Sequence, residues 1–277
     1  MRVDAHQHFW RLARGDYGWL TADAFPTLYR DFGPQDLAPL LAAAGVERTV
    51  LVQAAPTAAE TAFLLELATT TPFVAGVVGW TDFEAPRAAD AIEAMAANPK
   101  LLGLRPMLQD LEDDAWICGP RVAPALDALE DTGLRFDALV KPRHLPHLAR
   151  LLADRPDLRV VIDHGAKPDI AAAGLAEWSD AIRAIANDTA AVCKLSGLVT
   201  EAAPGWREAD LRPYSDVLLE AFGPSRLMWG SDWPVVNRAG GYAVWRATAE
   251  ALTEQCDPDE RDAIFGGTAQ RFYGIAE

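Results

Sequence analysis

The 277-residue chain is expected to fold as one α/β domain, a (β/α)8 TIM barrel spanning residues 1–277. Three observations predict it. Short β-branched or apolar runs alternate with alanine- and leucine-rich helical stretches along the whole chain. Eight such runs occur, the number a closed barrel needs. No Ser/Gly-rich linker, charge block or low-complexity tract divides the sequence. The competing architecture, an open doubly wound sheet, usually carries GxGxxG after its first strand. Here the first run ends His-Gln-His-Phe-Trp, and no such motif follows any of the eight.

Taken in order, "RVDAHQHFW" opens the chain, and the two-residue repeat of a strand puts His6 and His8 on one face with Gln7 opposite. A long loop follows at roughly residues 10–35. The stretch "PQDLAPLLAAAG" then has apolar residues at helical spacing, a proline at its start and a glycine stop. The next runs are "RTVLVQA", "FVAGVVGW", "LLGLRPM" and "LRFDALV", with helical stretches that include "AAETAFLLELAT" and "VAPALDALEDTG". "LPHLARLLADRP" leads to "RVVIDHG", then "AVCKLSG", a second long loop near 199–212, and "RLMWGSD" as the eighth run.

Composition narrows the function. A formal net charge of -15 repels nucleic acid and anionic membrane surfaces, and no basic block offsets it locally. The three cysteines are far apart and include no CxxC, so neither a disulfide framework nor a cysteine zinc site is expected. A reducing cytoplasm fits. The N-terminus lacks a basic n-region with an apolar h-region, and no apolar stretch approaches bilayer length, so the chain reads as an untargeted soluble protein.

Barrel active sites lie at the carboxyl ends of the strands. This sequence places there His6 and His8, Gln53, Trp80, Arg105, Lys141, His164, Lys194 with Ser196, and Asp232 with Trp233. Only four lysines occur, and three of them, Lys141, Lys167 and Lys194, fall at or just past a strand end. A lysine there can hold a carboxylate or a developing oxyanion, although a salt bridge closing the barrel rim is the plainer alternative. His6, His8, His164 and Asp232 can assemble either a divalent-metal site or a metal-free acid/base cluster. His147 reads as structural, whereas His144 lies near the fifth strand's end. Asp4 and Asp163 either orient the histidines or bind backbone amides.

The motifs "DAHQHFW", "GLRPMLQD", "VIDHGAKPDI", "CKLSGLVTE" and "LMWGSDWPV", in this order, closely resemble the sugar-lactonase branch of the amidohydrolase superfamily. These amidohydrolase-2 type proteins include L-fucono-1,5-lactonase and L-rhamnono-lactonase. The resemblance implies a barrel hydrolase that opens cyclic esters of aldonic acids, with L-fuconolactone or a similar deoxy-aldonolactone as substrate. It carries His6, His8, His164 and Asp232 over as the residues around the reactive water. Asp232 would be the general base, and the histidines would polarise the carbonyl through a metal or directly. Arg105 and Lys141, with Lys194 as a further candidate, would bind ring oxygens or the new carboxylate. Trp10, Trp80 and Trp233 would stack on the sugar or pack the core, and Gln53 and Asn237 would read hydroxyls.

The chain departs from the superfamily's binuclear pattern, offering Arg105 and Lys141 where a bridging ligand and a histidine would stand. One divalent ion, with zinc the first choice, or none at all then fits, and no organic cofactor is implied. The rival readings are a lactone isomerase or metal-dependent decarboxylase on the same scaffold, and a non-catalytic sugar-binding barrel. A homo-oligomer is compatible with the sequence.

Overall fold

The computed structural model describes residues 1–276. Eight parallel strands pair in chain order: β1 (Val3–Gln7), β2 (Arg48–Val52), β3 (Val74–Gly79), β4 (Leu101–Leu104), β5 (Arg135–Ala138), β6 (Val160–Ile162), β7 (Val192–Leu195) and β8 (Leu227–Trp229). The helices between them are α1 (Pro34–Ala44), α2 (Ala58–Thr70), α3 (Ala88–Ala96), α4 (Ala123–Thr132), α5 (Leu145–Asp154) and α6 (Ala176–Asp188). After β7 come α7 (Leu198–Glu201) and α8 (Glu208–Phe222), and after β8 come α9 (Tyr242–Leu252), α10 (Pro258–Asp262) and α11 (Thr268–Tyr273). The expected (β/α)8 barrel is therefore the observed fold.

The ring is completed just beyond the last strand. His8 N donates to Trp233 O at 2.7 Å and Asp232 N donates to His6 O at 2.8 Å. This seam sets the first motif directly beside the last one, which positions the site.

Two apolar layers support it. Val3, Ala5, Val50, Val52, Val78, Val161, Val192 and Met228 form one buried cluster, onto which α11 packs Ala269 and Tyr273. Gln270 Nε2 donates to Met1 O at 2.9 Å, so α11 covers the amino-terminal end of the barrel. The larger cluster lies between strands and helices and takes the apolar stripes of the helices, such as Leu145, Leu148, Leu151 and Leu152 of α5. Valine and leucine runs buried on both faces are what a parallel sheet under helices requires.

The expected loop at 199–212 is shorter than the sequence suggests. A helical turn occupies 198–201 and α8 begins at 208, because the Asp210 carboxylate accepts the Arg207 backbone N–H at 2.8 Å and caps that helix. Among the described residues, no helix is long and apolar enough to cross a membrane.

Candidate active site

His6 ends up facing His8 as the strand alternation requires, with their Nε2 atoms 3.2 Å apart. Asp232 Oδ1 lies 3.2 Å from His8 Nε2, 3.8 Å from His6 Nε2 and 4.0 Å from His164 Nε2. Residues from β1, the end of β6 and the end of β8 thus converge on one carboxylate. Asp232 and His164 both have φ of 54°, a left-handed conformation that a side chain with a Cβ rarely adopts and that clusters at functional sites. Two glycines make room for the rings. A Cβ on Gly230 would stand 2.7 Å from His6 Cβ, and one on Gly197 would stand 2.6 Å from His164 Nδ1.

A buried charge network lies beneath. Lys194 Nζ contacts Asp137 Oδ2 at 2.5 Å, Asp163 Oδ1 at 2.9 Å and His6 Nδ1 at 3.1 Å. Tyr273 from α11 donates its hydroxyl to Asp137 Oδ2 at 2.7 Å. Arg105 Nη1 donates to Asp163 Oδ2 at 3.1 Å and sits 3.3 Å from His6 Nε2, while its Nη2 donates to the Gln53 carbonyl. Burial and the nearby Lys194 charge hold His6 well below its ordinary pKa, so the ring is neutral. Burial also pushes His164 down to about 4. Burial opposes ionisation of Asp232, but the facing histidines and the His8 hydrogen bond prevail and hold it well below the usual carboxylate range. The state near neutral pH is an ionised Asp232 beside neutral His6 and His164.

Above the cluster opens a cavity of about 300 Å³. His8, His164, Asp232 and Arg105 line it, together with Trp19, Phe25, Ala54, Met107, Gln109, Asp110, Leu139, Lys167, Val235 and Arg238. Several residues expected to touch substrate lie elsewhere. Trp233 is 2% exposed and packs edge-on against Phe32 and Phe9, so it belongs to the core. Trp10 is also buried, donates its indole N–H to Arg30 O at 2.8 Å and backs Trp19. Gln53 is buried and donates to Arg105 O at 2.8 Å, fixing that residue's backbone rather than facing the cavity. Lys194 lies in the network below. Trp80 is pinned by its backbone to the Thr61 hydroxyl, and neither it nor Lys141 nor Asn237 lines the cavity.

Two open points are resolved by these contacts. Asp4 binds backbone amides, accepting from Ser231 N at 2.8 Å and His6 N at 3.2 Å across the β1–β8 seam. Asp163 instead faces the His6 ring, with Oδ1 3.4 Å from Nδ1. His144 is structural, since its Nδ1 accepts the Lys141 N–H at 2.9 Å.

Known proteins resemble this chain over its whole length. The Amidohydrolase family model matches residues 3–275. The chain belongs to the amidohydrolase family. A relative from Burkholderia ambifaria named L-fucono-1,5-lactonase is 49% identical, covering 99% of this chain and 96% of the relative. Another L-fucono-1,5-lactonase, from Burkholderia multivorans, is 40% identical over 100% of this chain and 97% of its own. The crystal structure of a Burkholderia multivorans amidohydrolase with bound zinc superposes with a TM-score of 0.94 at 41% identity, covering 100% of both chains.

The donor set of this amidohydrolase suits a divalent ion. His8 Nδ1 faces the Val52 carbonyl at 2.8 Å and must donate to it, so the Nε2 aimed at Asp232 Oδ1 either shares a proton with that carboxylate or, once that proton is lost, turns a lone pair toward it. Two electron-pair donors 3.2 Å apart need a shared proton or a cation between them. The triangle of His6 Nε2, His8 Nε2 and Asp232 Oδ1 has edges of 3.2, 3.2 and 3.8 Å, close to the ~3.4 Å expected between ligands around a tetrahedral zinc. A second grouping, His6 with Asp163 and His164, has its carboxylate already neutralised by Lys194 and Arg105. One ion is therefore the fit, not two.

The strand-end rule missed Trp19, Phe25, Gln109 and Arg238, which come from loops. The only sequence signal for the first two was the length and aromatic content of the segment after β1.

Proposed function

We propose that this amidohydrolase hydrolyses L-fucono-1,5-lactone, or a similar deoxy-aldonolactone, to the open aldonic acid. The observation that carries the reading is the Asp232 carboxylate, with three imidazoles within 4.0 Å of it, on the floor of a cavity sized for a single sugar ring. The two lactonase relatives, matched over essentially their whole length, support the substrate class.

Asp232 Oδ takes a proton from water as the water oxygen bonds to the lactone carbonyl carbon. His164, whose Nδ1 is held by Ser196 Oγ at 2.8 Å, and Arg105 flank the oxygen that becomes negative. Collapse of the tetrahedral intermediate breaks the bond to the ring oxygen. Asp232, a weak base in this setting, returns its proton to that leaving oxygen readily. His6, His8 and Asp232 would hold zinc, which when bound supplies Lewis acidity to the carbonyl oxygen. Lys167 and Arg238 give the cavity two further cations suited to the carboxylate product. Three unpaired cysteines support a cytoplasmic location.

The test is acid release from freshly prepared L-fucono-1,5-lactone, followed with a pH indicator. Asp232→Asn should lower kcat by about 10²- to 10⁴-fold while leaving the fold intact. A folded parent enzyme that opens no aldonolactone would refute the substrate class, and near-parental turnover in Asp232→Asn would refute the base.

A further inference from the structure

The cavity's aromatic wall hangs from one buried acid. Trp19 and Phe25 lie on the segment between β1 and α1, with their rings 5.4 Å apart and edge-to-face, and the Arg238 guanidinium sits 4.7 Å over Phe25. That segment is long and has little regular structure, so something must fix it. Glu60, in the first turn of α2, has a side chain with no exposed surface. Its Oε2 accepts the Tyr17 hydroxyl at 2.7 Å, its Oε1 accepts Ala54 N at 3.3 Å, and Arg14 Nε stands 3.6 Å away.

The contacts continue into the cavity. The Ala54 carbonyl accepts the Trp19 indole N–H at 2.8 Å, so a single residue joins the carboxylate to the wall. Arg14 also binds Asp16, which accepts the hydroxyl of Thr57, the N-cap of α2, at 3.2 Å. Arg14 and Arg11 lie 4.5 and 5.4 Å over the Phe63 ring of the same helix. Burying a carboxylate is unfavourable unless its partners are fixed, and apolar packing would hold a passive loop with less penalty.

We propose that Glu60 is a positioning residue for substrate binding, holding Trp19 and Phe25 against the sugar ring through Tyr17 and Ala54. It touches neither substrate nor reacting atoms. The proposal rests on the lactonase reading, and its effect falls on KM, because the wall contacts the ring equally before and during the reaction.

The experiment uses Glu60→Gln and Tyr17→Phe in the full chain. Steady-state lactone hydrolysis is measured beside hydrogen exchange of peptides covering 11–32 and of the barrel strands. Expected for Glu60→Gln is a KM raised about three- to tenfold, as loss of a buried hydrogen bond implies, with kcat within about twofold. Exchange should quicken in 11–32 and not in the strands, and Tyr17→Phe should shift both readouts less in the same direction. Unchanged KM and exchange in both variants would overturn the proposal. So would quicker exchange throughout the barrel with kcat and KM both degraded, which marks a purely structural role. A parent enzyme with no lactone turnover would sink the lactonase reading instead, and the exchange comparison would still decide whether Glu60 holds the loop.

Discussion

Replacing Lys194 by methionine would remove the cation at the centre of the barrel while nearly preserving its shape. Its ammonium lies 2.5 Å from Asp137 and 2.9 Å from Asp163, and all three side chains have no exposed surface. Stripping one partner from a buried ion pair strands the other charge, at about 3–5 kcal/mol. Two carboxylates are stranded here, but Arg105 still neutralises Asp163 and Tyr273 still donates to Asp137, so the lower part of that range is expected. For a chain of this length the loss corresponds to a Tm lower by roughly 5–7 °C. Urea unfolding followed by far-ultraviolet circular dichroism should show an earlier midpoint with an unchanged slope. Adding Asp137→Asn should restore at least half of the loss, since the stranded charge is then gone. Turnover should stay low even so, because His6 Nδ1 has lost a contact 3.1 Å away. A Lys194→Met protein within about 1 kcal/mol of the parent would refute the argument that this buried network depends on its lysine.

Further outcomes follow from other contacts. Gly197→Ala places a Cβ 2.6 Å from His164 Nδ1 at a φ of 66°, so it should cost about 1–2 kcal/mol in the left-handed backbone and lower kcat by displacing the ring; parental turnover would show that His164 is not where it acts. Glu60 is pushed up to about 7 by burial, against the opposing Tyr17, Ala54 and Arg14 contacts and with Asp16 adding to the rise. Its folded pKa exceeds its unfolded value, so the contribution is fully present below about pH 4.5 and is lost as pH rises through about 7. Glu60→Gln should therefore change the pH dependence of the unfolding free energy, measured in urea, by roughly 3 kcal/mol across that window, and an identical dependence in both proteins would show that burial does not perturb the acid. Zinc added to chelator-treated protein at a hundredfold excess over Kd should stabilise it by about 2.7 kcal/mol, a gain that His8→Ala should abolish; an equal gain in that variant would place the ion elsewhere.

Much of the fold was legible because a parallel barrel uses strands buried on both faces, and these leave continuous apolar runs such as "RTVLV" and "VAGVVG" between helical stretches. The position of the last loop was less so. Pro204 and Gly205 mark a break, but the hydrogen bond from Arg207 N to Asp210 starts α8 inside the segment expected to be irregular. That pairing depends on two polar residues three apart, a weak signal beside hydrophobic periodicity.

The strand-end rule located His6, His8, Arg105, His164 and Asp232 because it fixes height along the barrel axis. It does not fix rotation about the strand, and there it failed. Asp232 and Trp233 are neighbours, yet the left-handed φ at Asp232 turns its carboxylate into the cavity and sends the next ring back into the core. Lys194 and Ser196 show the other limit. Alternation points both toward the axis, but two residues span about 6.6 Å, so Ser196 reaches the His164 ring while Lys194 sits one layer lower among Asp137, Asp163 and His6. The lower layer still governs the upper. Burial, joined by the Lys194 charge 3.1 Å from Nδ1, disfavours a proton on the His6 ring against the pull of Asp163, leaving the imidazole neutral next to an ionised Asp232. A lysine that never meets the substrate thereby adds to burial in keeping a residue at the reacting centre unprotonated.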